Sequence, residues 1–287
     1  MRTLTSAQRT AIRILFCAEV AIGCAANPPA EAPSTAKTTP SCDSGDLDDC
    51  QARCEIEPAT GCVSLGRIYA EEAGGHLDSR LAAEAFEKAC NAGQLEGCHE
   101  AGNIWVLVRP DIERDFDKGY TLHERACRGG ITKSCTRLGV MHDNGDGRES
   151  DPKKANILFE QACDAGELVA CGNWAGNLEN GRGCEKDQEK AIKLYKQACD
   201  SRVPIACMSL SSAFDEGNGV DKNPEQATKL MVRACELGEP WACRYSGYRF
   251  QEGIGTKVDV AAAADFYSKA CEAEDEEACN ALKDLSQ

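Results

Sequence analysis

The sequence predicts an all-α fold, a disulfide-stapled solenoid of antiparallel helix pairs. Three observations carry this reading. Cysteine pairs eight positions apart recur every 36 residues, with one step of 37, at 54/62, 90/98, 127/135, 163/171, 199/207, 235/243 and 271/279. An alanine-rich stretch with one apolar face leads into such a pair, as in PKKANILFEQAC at 152–163, where Ala155, Leu158, Phe159 and Ala162 recur at i, i+3, i+4 and i+7. A Gly-rich break separates that stretch from the helix-like segment before it: DNGDGRESD (143–151), ENGRGCEKD (179–187), DEGNGVDKN (215–223). Self-similarity at a period of tens of residues marks a repeat array, in which each unit buries its apolar face only against its neighbours.

In chain order, residues 1–24 have the form of an export signal. Arg2, Arg9 and Arg13 precede an apolar run from Ile14 that is too short for a membrane span. Ala21-Ile22-Gly23-Cys24 is similar to a bacterial lipobox, which makes Cys24 the lipidated residue and new N-terminus. Residues 25–40 hold four of the ten prolines and no large apolar residue, and read as a disordered Pro-rich tether. The expected location is therefore outside the cytoplasm, as a periplasm-facing outer-membrane lipoprotein or a secreted protein, with membrane contact by the lipid anchor only. Residues 41–61 read as an N-terminal cap, 62–278 as six repeats of about 36 residues, and 279–287 as a C-terminal cap.

Within each repeat the cysteine spacing dictates a corner. On one continuous helix, residues eight apart lie about 12 Å from each other. A disulfide needs Cα atoms within roughly 4.4–6.8 Å, so the chain must turn back between them. Gly93, Gly130, Gly166 and Gly238 stand three residues after the first cysteine, where a left-handed helix-ending residue belongs. Arg202 and Glu274 occupy that place in two repeats, and those turns are expected to close differently. The expected bridges are Cys54–Cys62, Cys90–Cys98, Cys127–Cys135, Cys163–Cys171, Cys199–Cys207, Cys235–Cys243 and Cys271–Cys279, with Cys42–Cys50 in the same frame around Gly45. Cys17 and Cys24 belong to the leader, which leaves Cys184 unpaired. At each break, Asp151 or Asp187 can cap the next helix, and Pro152 suits its first turn.

Charge narrows the partners. The chain carries 32 basic and 47 acidic side chains, and four basic and two acidic ones fall in the first forty residues, so the remainder carries 28 − 45 = −17. Such a body repels phosphate backbones, which excludes nucleic acid as a partner, and its overall field suits basic peptides or cationic ligands. Nineteen cysteines, sixteen of them in pairs of one spacing, point to an oxidising compartment.

The unit, written AC–xx–G–xxxx–C–xxLGxxYxxGxGxxxDxxKAxxxxxxAC, resembles the Sel1-like repeat, a relative of the tetratricopeptide repeat. The paired cysteines resemble the Helicobacter cysteine-rich protein subgroup. The resemblance runs over about residues 42–287, with two departures: 106–119 lacks the GxG break, and Gly74-Gly75 stands in for it in the first repeat. It implies a right-handed superhelix whose concave face binds a peptide, a protein or a cell-envelope component. It also implies an alternative, because proteins of that subgroup are described as penicillin-binding with slow β-lactamase activity.

The residues themselves assign no catalytic group, no metal ligand and no cofactor. Ser34 and Lys37 match the SxxK spacing of serine β-lactamases, but they lie in the tether without the companion elements. His76, His99, His123 and His142 form no metal-binding spacing and read as scattered surface or interface residues. Asp143, Asn144 and Asp146 lack calcium-loop spacing and read as a solvated turn. Cys184 would be the working thiol if the protein were a redox or assembly factor. Trp105, Trp174 and Trp241 read as core, or as part of a ligand groove. The leading expectation is a non-enzymatic, exported interaction scaffold.

Overall fold

The computed structural model describes residues 42, 46–70 and 77–285. The export signal, Cys24, the tether with Ser34 and Lys37, and Gly45, Gly74, Gly75 and His76 lie outside the described residues. Among the described residues there are fourteen helices and no strand; an isolated β-bridge joins Arg109 to Ile112 in a loop. Helix α1 (Leu47–Ile56) comes first. Six antiparallel pairs follow: α2 (Pro58–Ala70) with α3 (Ser79–Asn91), α4 (Leu95–Val106) with α5 (Phe116–Arg128), α6 (Thr132–Asn144) with α7 (Pro152–Asp164), α8 (Leu168–Asn180) with α9 (Gln188–Asp200), α10 (Pro204–Glu216) with α11 (Pro224–Glu236), and α12 (Pro240–Glu252) with α13 (Val260–Glu272). Helix α14 (Glu276–Leu285) closes the array. Every helix packs against its predecessor and its successor, and first helices also meet, α2 with α4 and α6 with α8. The first helices begin three or four residues before the second cysteine of each pair, so α2 straddles residue 62 and α14 straddles residue 279.

The local code repeats from unit to unit. Asp78, Asp115, Asp151, Asp187, Asn223 and Asp259 precede the second helices, and each side chain accepts the N–H three residues on. First helices α6, α8, α10 and α12 end on left-handed Gly145, Gly181, Gly217 and Gly253. The glycine two residues further on packs on the start of the preceding unit's second helix. A Cβ on Gly183 would lie 2.5 Å from the Pro152 carbonyl carbon, and one on Gly255 would lie 2.0 Å from the Pro224 oxygen. The second repeat lacks this pair of glycines and solves the contact with a carboxylate. Asp111 accepts the Ser79 N–H at 2.6 Å, at the start of α3, and that hydrogen bond holds its pKa below the usual carboxylate range.

Seven disulfides join the end of one helix to the start of the next, and Cys42–Cys50 ties residue 42 to α1; Cα–Cα separations run from 4.3 Å at Cys54–Cys62 to 4.8 Å at Cys127–Cys135. The pairings in the structure are Cys42–Cys50, Cys54–Cys62, Cys90–Cys98, Cys127–Cys135, Cys163–Cys171, Cys199–Cys207, Cys235–Cys243 and Cys271–Cys279. The expectation that Arg202 and Glu274 close their turns differently is overturned. Arg202 (φ 69°) and Glu274 (φ 65°) adopt the same left-handed conformation as the glycines. Gly166 donates to Cys163 O at 2.9 Å and Glu167 to Ala162 O at 2.9 Å; Arg202 and Val203 make the same two bonds to Cys199 and Ala198 at 2.9 and 3.0 Å. Two backbone hydrogen bonds and a disulfide outweigh the ~1–2 kcal/mol that a side chain adds in this region.

Inside each unit a large side chain on the second helix fits a small residue on the first. Phe86 lies on Gly66, His123 on Gly102, Phe159 on Gly139 and Tyr267 on Gly247, and a Cβ on any of these glycines would come within 2.4–2.8 Å of the ring. Ala175 and Ser211 hold the matching place where the second helix carries Tyr195 and Met231. The apolar core forms two large clusters, spanning residues 50–112 and 155–278, and a small one of Cys90, Cys98 and Ala126. Between the large clusters, core positions hold buried His123, Ser134 and His142.

Candidate binding groove

Four clefts lie along the first helices. His99, Lys133, Arg137, Val140 and Asn173 line the first. Val140 and Asn173 also bound the second, which runs on through Asn177 and Arg182 to Ile205 and Ser209. Ile205 and Ser209 are shared with the third, whose far wall is Trp241, Tyr245 and Tyr248. Tyr245 and Tyr248 then form part of the fourth, with Arg244, Glu277 and Ala281. Shared walls make these clefts one continuous groove from α4 to α14.

One repeat position dominates its floor. Two residues before the second cysteine stand Thr60, Glu96, Lys133, Val169, Ile205, Trp241 and Glu277 in successive units. In three consecutive units this position is apolar and open to solvent, Val169 at 47%, Ile205 at 56% and Trp241 at 38% exposure. Tyr245 and Tyr248 add two more exposed rings beside Trp241, and the Trp241 and Tyr245 rings meet at a tilt of 39° with centroids 4.0 Å apart. Large exposed apolar groups gathered in one cleft mark a binding surface.

The groove's ion pairs are fixed by its walls. Arg249 is buried and makes a bidentate pair with Asp215 at 2.6 and 2.9 Å, while its Nε donates to Thr228 at 2.8 Å. Arg244 pairs with Asp275 at 2.9 Å and Glu277 at 2.6 Å. Arg182 pairs with Asp143 at 2.9 Å, so the acidic turn at 143–147 is engaged within the protein. Lys133 and Arg137 make no ion pair among the described residues.

The histidines depart from expectation. Three of the four gather at α4–α6 and two are buried, since His123 and His142 take core positions that elsewhere hold Phe, Tyr, Trp, Met or Leu. Ser134 Oγ lies 2.8 Å from His99 Nδ1 and 3.4 Å from His123 Nδ1, and Asn103 Nδ2 lies 3.1 Å from His99 Nε2. The constellation has the outline of an activated serine. Ser134 is fully buried, however, and burial holds His123 neutral with its pKa lowered to about 3, so the group is a polar core network.

The tryptophans occupy three different repeat positions. Trp105 and Trp174 are core, capped by Lys118 and Lys190 at 4.0 and 3.9 Å from their rings, and only Trp241 faces the groove. Cys184 is half-buried with Sγ 3.6 Å from the Asn177 and Arg182 carbonyl oxygens, and burial raises its pKa. A thiol pushed away from its thiolate is a poor nucleophile. Sequence reasoning missed Lys133, Arg137, Asn173, Tyr245 and Tyr248. Comparing solvent-facing positions across the repeats would have found them.

The Sel1 repeat model matches residues 97–131, 132–167, 169–202, 204–239 and 242–275. The chain belongs to the Sel1 repeat family. A Sel1 repeat protein from Oxalobacter formigenes shares the fold at a TM-score of 0.72 and 22% identity, over 84% of this chain and 71% of that one. Cysteine-rich protein B of Helicobacter pylori aligns at 26% identity over 45% of this chain and 93% of that one, with a TM-score of 0.38. Among curated proteins, human cytochrome c oxidase assembly factor 7 is 32% identical over 93 residues, 30% of this chain and 40% of that protein. The chain spans about two fifths of the length of the curated relatives it matches, 37–40%. Sel1 repeats form scaffolds suited to protein binding, and eight disulfides fit an exported protein.

Proposed function

We propose that this protein is an exported scaffold that binds a peptide or protein segment of the cell envelope along the groove on its first helices. The exposed series Val169, Ile205 and Trp241, continued by Tyr245 and Tyr248, carries the reading. Stacked repeats create extended concave surfaces of this kind, and rigid aromatic anchors supply most of the energy in such contacts. Lipidation at Cys24 belongs to the same proposal and would hold the scaffold at a membrane surface. A photo-crosslinking residue placed at Ser209, inside the groove, is expected to capture discrete envelope partners, and capture is expected to fall when Trp241 becomes alanine. Equal capture from Lys196, exposed on α9, would sink the proposal.

An assembly role like that in the curated relatives' name would use the same groove, with a client protein as the captured partner. It would not run through Cys184, for the reason given above. The β-lactamase alternative gains no support from the described residues, where the serine beside two histidines is out of reach of substrate.

A further inference from the structure

Resting on the groove reading, we infer that the occupant is an extended peptide segment with an acidic residue at one end and apolar side chains at every third position after it. A single repeat position supplies the template. In four successive units it reads Lys133, Val169, Ile205, Trp241, all facing one groove. Where first helices of neighbouring units meet, as α6 and α8 do, packed helices lie about 8–10 Å apart, and the regular stacking of the units sets a step of that order along the series. An extended chain of the polyproline-II type rises about 3.1 Å per residue with about three residues per turn, so side chains three apart share one face and meet successive steps of this series. A segment of about ten residues thus reaches from the lysine step to the tryptophan step.

Charge sets the acidic end. The net charge of −15 suggests basic partners, but the groove does not share it. Its lining holds five basic side chains (Lys133, Arg137, Arg182, Arg244, Arg249) and four acidic ones (Asp143, Glu167, Asp215, Glu277). Arg182, Arg244 and Arg249 are neutralised by their partners, and Glu167 caps α8 by accepting the Val169 N–H at 3.3 Å. Lys133 and Arg137 remain as the charges available to a ligand, side by side on α6. At the other end Trp241, Tyr245 and Tyr248 offer ring faces to an apolar or aromatic side chain. Asn173 lies between the two ends, and its carboxamide can both donate to and accept from a peptide backbone.

The test is selection from a random decapeptide phage library on the full oxidised chain, followed by affinity measurements with the labelled winners. Enriched peptides are expected to carry an Asp or Glu followed by apolar residues at a spacing of three. Trp241→Ala is expected to weaken them at least tenfold. Lys133→Glu with Arg137→Glu is expected to weaken them about tenfold and to turn a repeat selection toward Lys or Arg at that end. Winners that depend on Trp241 but show neither the acidic end nor the spacing would overturn this inference and leave the groove reading standing. No enrichment, or binding indifferent to Trp241→Ala, would overturn both.

Discussion

Arg202 and Glu274 show how far a position can be pushed by its surroundings. Both sit at corners where other units use glycine, and both hold φ near +65 to +70°. At the equivalent Gly93, Gly130, Gly166 and Gly238 a Cβ would meet nothing within 4 Å, so the cost is backbone strain without a clash. Relief of that strain is the expected outcome of Arg202→Gly or Glu274→Gly. Each should stabilise by about 1 kcal/mol, measured as a raised urea midpoint at unchanged slope. A lowered midpoint would mean that the side chains contribute more than the conformation costs.

At the level of the element, a corner is a disulfide, a left-handed residue and two backbone hydrogen bonds between a second helix and the next first helix. Cys199 and Cys207 are both buried at such a corner. Replacing the pair with alanine is expected to cost about 2–3 kcal/mol, because a short covalent loop is lost from the unfolded chain. Denaturant unfolding of the oxidised double variant checks this. No change in midpoint would show that helix packing alone holds the corner.

Across the whole array, buried His123, Ser134 and His142, with half-buried His99 beside Ser134, interrupt the apolar core where its two large clusters part, between residues 112 and 155. Burial lowers the pKa of His99 and His142 as well as His123. A histidine whose folded pKa lies below its unfolded value of 6.5 contributes stability above pH 6.5 and loses it as pH falls toward its folded value, about 3 for His123. The slope for one such group is up to about 1.4 kcal/mol per pH unit. Phe86 and Phe159 fill the same position over glycine in other units, so phenylalanine fits at 123. His123→Phe is therefore expected to lose less stability than the wild type between pH 7 and pH 4. Parallel stability profiles for the two proteins would refute the account.

Much of this molecule was legible from residue spacing. A period of 36 with cysteines eight apart determined the helix pairs, the corners, the Asp caps and the bridges, because each depends on contacts within about forty residues of sequence. Local chemistry could not decide how Arg202 and Glu274 close their turns, since the neighbouring hydrogen bonds override an intrinsic preference. It could not separate Trp241 from Trp105 and Trp174, because exposure is set by which face the next unit covers. Nor could net charge disclose the groove's own balance, which depends on which carboxylates stand within reach of Arg182, Arg244 and Arg249. The sequence alone determined the unit and its repetition. Only the stacking of units decided which side chains are left uncovered, because burial and charge pairing are properties of neighbours a whole repeat away.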